Sequence, residues 1–107
     1  PNMVNVPLPE GTGSQEFRDA VREHWLPALL AFRPQLLLVS AGFDAHREDD
    51  LGQMGLVEAD YAYITRCLME VADEFGEGRI VSSLEGGYNL SALARSVCAH
   101  VKVLAQL

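Results

Sequence analysis

Basic residues are scarce in this sequence. Eight Lys and Arg stand against 15 Asp and Glu, giving a formal net charge of −7. That balance argues against a surface that wraps nucleic acid through phosphate contacts. It is compatible with a cationic partner or substrate. No apolar run reaches the roughly 20 residues a membrane-spanning helix needs, and the first residues lack the pattern of a secretory leader. Neither nucleic acid nor a membrane is therefore expected as a partner. Cysteine is limited to Cys67 and Cys98, which share no metal-binding spacing and sit among apolar neighbours. Buried free thiols are expected. Such thiols fit a reducing compartment, and the cytoplasm is the expected location. Internal repeats and low-complexity segments are absent.

What is present is a globular composition. Hydrophobic residues make up 49% of the 107 positions and charged residues 21%, which excludes a disordered chain and allows one domain at most. Met3–Val6 reads as a short strand. Residues 7–13 hold two prolines and two glycines and form a loop. Ser14 is placed to cap a helix running to about Phe32. Phe17, Val21, Trp25 (or Leu26), Leu29 and Phe32 share one face of it, and Trp25 and Phe32 are expected in the core. Pro27 can kink that helix. Arg33-Pro34 ends it, because the residue before Pro avoids the α region. A strand follows at Leu36–Val39, then an acidic loop through Gly55, a helix over Leu56–Phe75 and a turn at Gly76-Glu77-Gly78. Arg79–Leu84 is a further strand, Glu85–Leu90 a strand-to-helix turn, and Ser91–Leu107 the last helix. The alternation predicts an α/β fold with a parallel sheet and right-handed crossovers. Three strands are few for such a sheet, so the chain reads as part of a larger domain.

Chemistry in open α/β sheets collects beyond the carboxyl ends of the strands. The strand at Leu36–Val39 delivers Asp44 and His46 there. Asp44 reads as a metal ligand, a base or a cap for the next element. His46, beside Arg47, Glu48, Asp49 and Asp50, reads as a solvated loop residue. The strand at Arg79–Leu84 delivers Glu85-Gly86-Gly87-Tyr88, where two glycines allow close backbone approach. A Tyr on such a turn either presents its hydroxyl to a polarised carbonyl or packs on the next helix. Asn89 reads as the cap of that helix. No lysine completes a phosphate-binding loop.

Taken together, Asn5–Gly13, Leu26-Pro27, Phe32-Arg33-Pro34, the SAGFDAH run of Ser40–His46, Leu51-Gly52 and the LEGGYNL run of Leu84–Leu90 resemble the C-terminal part of the histone deacetylase superfamily. The similarity is to the bacterial deacetylase-like and class II branch, with acetylpolyamine amidohydrolases near by. It covers nearly the whole chain. It implies a partial arginase/deacetylase-like three-layer fold, with residues 1–107 as the C-terminal portion of one catalytic domain. It implies amide hydrolysis of acetylated lysine or acetylpolyamine with one zinc ion. By this resemblance Asp44 is a zinc ligand and Tyr88 stabilises the oxyanion. Leu51, Gly86 and Gly87 line the substrate channel.

Two departures accompany the resemblance. Asp50 stands where the family loop has Pro, which alters the channel rim. The family's Asp-x-His zinc-binding pair and its His-His proton acceptor are not found; His24, His46 and His100 are isolated. Asp44-Ala45-His46 reads formally as Asp-x-His, but one tight turn would leave zinc under-coordinated. The expectation is an inactive fragment of an active zinc deacetylase that can self-associate through its exposed sheet edge. The alternatives are an acetylpolyamine amidohydrolase, a non-catalytic binding module and, more distantly, an arginase-like binuclear site.

Overall fold

The computed structural model describes residues 2–107. The first helical arm comprises α1 (Ser14–Ala20), a π-helical turn at Val21–Trp25 and α2 (Leu26–Phe32), which run on continuously. The sheet has two strands, β1 (Leu37–Ala41) and β2 (Ile80–Leu84), and the two long helices are α3 (Glu58–Phe75) and α4 (Leu90–Leu104). β1 and β2 pair in parallel, in register from Leu37 opposite Ile80 to Ala41 opposite Leu84. The α/β pattern and the parallel pairing are as the sequence predicts. The strand expected at Met3–Val6 does not form. Among the described residues nothing pairs with that segment as a sheet neighbour.

Alternate positions of β1 face the two long helices. Leu37 packs with Val71 and Ala72 of α3, and Ala41 joins Phe43, Leu56 and Tyr61. In β2, Ser82 turns the same way and its hydroxyl meets His100 Nε2 at 2.8 Å. His100 lies on α4, and its other ring nitrogen meets the Thr65 hydroxyl of α3 at 2.8 Å. One buried imidazole thus joins sheet and both helices, and satisfied polar groups of this kind are what a core tolerates. The opposite sheet face is bare. Leu38 is 74% exposed and Val81 57%.

Asp60 fixes the helical arm to the rest. Its buried carboxylate accepts from the Val57 N–H at the start of α3, from the Ser14 hydroxyl and from Arg18 Nε, at 2.6–3.0 Å. A carboxylate at that end of a helix also faces the positive end of its dipole. Ser14 is the first helical residue and Gly13 the cap. The arm takes its expected core role through Val21, which is buried, and through Phe17, Leu26 and Leu29, which pack against the core, but not at two of its aromatic positions. Trp25 and Phe32 are exposed, Phe32 by 74%, because no element among the described residues covers their side of the helix. Cys98 is also exposed and Cys67 only half-buried, against the expectation of two buried thiols. Cys98 lies on the solvent side of α4.

Candidate functional site

Both strands end at the same edge, and their following loops are tied there by backbone bonds. Glu85 N–H donates to the Ala41 carbonyl at 2.9 Å, and Phe43 N–H donates to the Gly86 carbonyl at 2.8 Å. The SAGFDAH and LEGGYNL segments, some 40 residues apart in sequence, therefore share one rim. This is the carboxyl end of a parallel sheet, where α/β folds place their chemistry.

Asp44 is half-buried and seated in a cradle of glycines. A Cβ on Gly86 would lie 3.0 Å from the Asp44 carboxyl carbon and 3.1 Å from both its oxygens. One on Gly42 would lie 3.2 Å from Oδ1. A Cβ on Gly52 would lie 1.7 Å from the Asp44 carbonyl oxygen, inside any allowed contact. Side chains at Gly86 or Gly42 would crowd the carboxylate, and one at Gly52 would collide with the backbone of its loop. Beneath it the Tyr61 hydroxyl is pushed above the ordinary phenol range, by burial first and by the Asp44 charge next.

His46 is not a solvated loop residue. It is fully buried. Its Nδ1 accepts the Glu48 N–H at 3.1 Å, so the ring proton sits on Nε2, which is bonded to Glu58. That bond is the main reason the Glu58 carboxyl lies below the usual carboxylate range. Arg95 of α4 closes the cluster, 2.6 Å from Glu48 and 3.5 Å from Glu58. The imidazole thus clamps the loop after Asp44 to the start of α3 and is not free to join Asp44 as a ligand. Among the described residues no three His, Cys, Asp or Glu side chains gather as a metal site.

Asp49, in the same acidic loop, is buried. One carboxylate oxygen accepts the Leu51 N–H at 2.9 Å. The other accepts the Tyr88 N–H at 2.8 Å and the Asn89 N–H at 3.4 Å. These bonds, Tyr88's foremost, hold the Asp49 carboxyl below the usual range. Asn89 donates from its side chain to the Glu48 carbonyl and accepts from the Ala92 N–H, capping α4 as expected. Leu51 and Tyr88 stand exposed at the rim, Tyr88 by 59%, so its side chain does not pack away on α4. Gly87, just before it, has φ 141°, a region open to glycine.

The sequence model of the histone deacetylase domain matches residues 1–104. The chain belongs to the histone deacetylase family. Its deacetylase relatives include type-2 histone deacetylase 1 of Dictyostelium discoideum, 43% identical over 98% of this chain and 7% of the relative. The polyamine deacetylase HDAC10 of Mus musculus is 41% identical over 94% of this chain and 15% of its own length. Among solved structures, the deacetylase Clr3 superposes with a TM-score of 0.85 at 37% identity, over 92% of this chain and 16% of that one. The HDA15 HD domain gives 0.82 at 35% identity, over 90% and 26%. The chain thus spans about a quarter or less of each of these proteins. The two-stranded parallel sheet with its helices is a partial arginase/deacetylase-like α/β fold, as the resemblance implied.

Of the five site residues named from sequence, all lie at this one rim. Asp44, Gly86, Gly87 and Tyr88 come from the two tied loops, and Leu51 from the loop that Asp49 fastens to them. Sequence reasoning missed His46 and Asp49. The available signal for Asp49 was an Asp two residues before Leu51 in a loop closed by Gly52, the pattern of an Asx turn.

Proposed function

We propose that residues 1–107 form the C-terminal portion of a deacetylase catalytic domain, and that the whole protein is a zinc-dependent amidohydrolase of acetylated amines. The observation that carries this is the placement of the Asp44 carboxylate against Gly86, in the same turn that presents Tyr88. Carboxylate oxygen is an ordinary zinc donor, and the glycine cradle fits a ligand that must approach a metal without obstruction. When bound, zinc would polarise the acyl carbonyl and activate water. Asp44 would supply one ligand. The others, and the group that accepts the water proton, would come from outside this segment. Tyr88 would donate its hydroxyl proton to the oxygen that gains charge as the amide carbon becomes tetrahedral. Leu51, Gly86 and Gly87 would wall the channel that carries the acyl-amine to this edge.

The test is turnover of an acetyl-lysine peptide by the whole protein, with zinc measured by elemental analysis. The wild type is expected to hold one zinc ion per chain. Asp44→Ala is expected to lose both zinc and turnover. Tyr88→Phe is expected to keep zinc while kcat falls about 10²–10³-fold, the usual loss for one oxyanion donor. Wild-type turnover without zinc would overturn the reading. The 107-residue segment alone is expected to be inactive.

Acetylpolyamine is the second substrate reading. The named polyamine deacetylase relative and the net charge of −7 both favour it. Parallel assays on acetylspermidine and an acetyl-lysine peptide decide between the two. The free cysteines fit the cytoplasm as the working compartment.

A further inference from the structure

We propose that Asp49 is the positioning residue of Tyr88, holding the hydroxyl donor and the Leu51 wall of the channel to one carboxylate. The inference rests on the deacetylase reading above. Tyr88 is poorly held by packing, since its side chain is largely exposed. Gly87, before it, has φ 141° and brings no side chain to anchor the turn. What fixes the Tyr88 backbone is the 2.8 Å bond from its N–H to Asp49 Oδ2. A charged acceptor makes such a bond shorter and stronger than a neutral one. The other oxygen of the same group holds the Leu51 N–H. Asp49 is 3% exposed, and its two oxygens together take up three backbone donors from the two loops. A second strap, from the Asn89 side chain to the Glu48 carbonyl at 2.9 Å, keeps the loops in register. Asp49 reaches the reaction only through Tyr88 and Leu51, so it positions and does not itself react.

Substitution by Asn keeps size and removes charge. An amide has one acceptor oxygen, so its NH₂ must then face either the Leu51 N–H or the Tyr88 and Asn89 N–H groups. The donor turn loses its hold, and a displacement of about 1 Å at a catalytic group costs on the order of 10²-fold in rate.

The experiment is a double-mutant cycle in the whole protein, with Asp49→Asn, Tyr88→Phe and the pair assayed for kcat, KM and zinc content. Asp49→Asn is expected to keep zinc and to lower kcat by between tenfold and about 10²-fold. In the Tyr88→Phe background the same change is expected to alter kcat by less than about twofold, because the donor it positions is gone. Fully additive losses, or wild-type kcat in Asp49→Asn, would overturn the proposal while leaving the deacetylase reading intact. Tyr88→Phe at the wild-type rate would overturn both. Asp49→Ser repeats the cycle if the Asn variant does not fold. Hydrogen exchange of the Tyr88 amide in the unmutated protein is the independent check. Slow exchange is expected, and exchange as fast as in an open loop overturns the proposal.

Discussion

At the carboxyl end of the sheet, the loops around Asp44 and Tyr88 are closed on each other by backbone bonds, by Asp49 and by Asn89. On the open sheet face and along the helical arm, Leu38, Val81, Trp25 and Phe32 stand exposed. The first region is polar, yet His46 and Asp49 within it are buried and paired. The second is apolar, yet uncovered. Hydrogen bonds between neighbouring loops need only those loops, so these loops hold one another in place. Apolar faces gain stability only when something covers them. In the relatives this chain spans a small part of the length, and the open faces are where further structure has room to pack. A rim of this kind can thus be shaped locally while the sheet face beside it stays open.

The largest break of the closed end comes from Gly52→Ala. The new methyl would stand 1.7 Å from the Asp44 carbonyl oxygen. Backbone must move, and a cost of more than about 4 kcal/mol is expected, among the rare large single-site effects. Denaturant unfolding of the whole protein reads it. A shift in midpoint no larger than that of a surface substitution would show that the Asp44 loop is not held as described. Phe43→Ala comes next. Phe43 is buried against Tyr61 at a ring distance of 5.0 Å and against His100 at 5.6 Å. Emptying that place should cost about 3 kcal/mol, the lower range for a buried Phe.

Much of this contrast was legible from sequence, and the exceptions have physical causes. β1 and β2 announce themselves as short apolar runs closed by small residues, and Asn89 is an ordinary cap sitting where a helical period starts. The rim residues Asp44 and Tyr88 follow because parallel strands must end at the same edge. Trp25 and Phe32 were misread because helical spacing shows which face is apolar and not whether anything covers it. His46 was misread, and Asp49 passed over, for the reverse reason. A run of charges usually marks a solvated surface, but these two turn inward to partners 12 and 39 residues away. Local pattern contains no trace of such distant donors and acceptors.

A smaller, pH-dependent effect belongs to the core between the two regions. Burial holds the His100 imidazole below its ordinary pKa of 6.5. The folded state therefore takes up this proton less readily than the unfolded chain, and stability rises with pH between the two values. The contribution is present above pH 6.5 and is lost as the pH falls below it. Thermal midpoints between pH 7.5 and 5.5 should decline for the wild type and flatten for His100→Gln. Equal slopes would place the titration on another group. The carboxyls of Asp49 and Glu58, both held low, act in a separate window, losing their contribution only as pH falls through the acidic carboxylate range.

The smallest effect on folding should come from the open sheet face, and there the informative readout is association. Leu38 and Val81 point away from α3 and α4, so polar replacements remove no internal packing. Leu38→Lys with Val81→Lys should change the stability of the 107-residue segment by no more than about 0.5 kcal/mol per site. Neighbouring exposed apolar side chains on a sheet face invite self-association, and like charges placed there oppose it. Sedimentation of the segment is expected to show concentration-dependent association that the double variant weakens. If the double variant associates as strongly as the wild type, the bare face is not the contact, and the helical arm with Trp25 and Phe32 becomes the surface to alter. In the whole protein, the same pair of lysines should cost more than about 1 kcal/mol if that face is covered by the rest of the domain, since each charge would be desolvated. The ratio of the two costs measures directly how far the sheet's stability is borrowed from outside this chain.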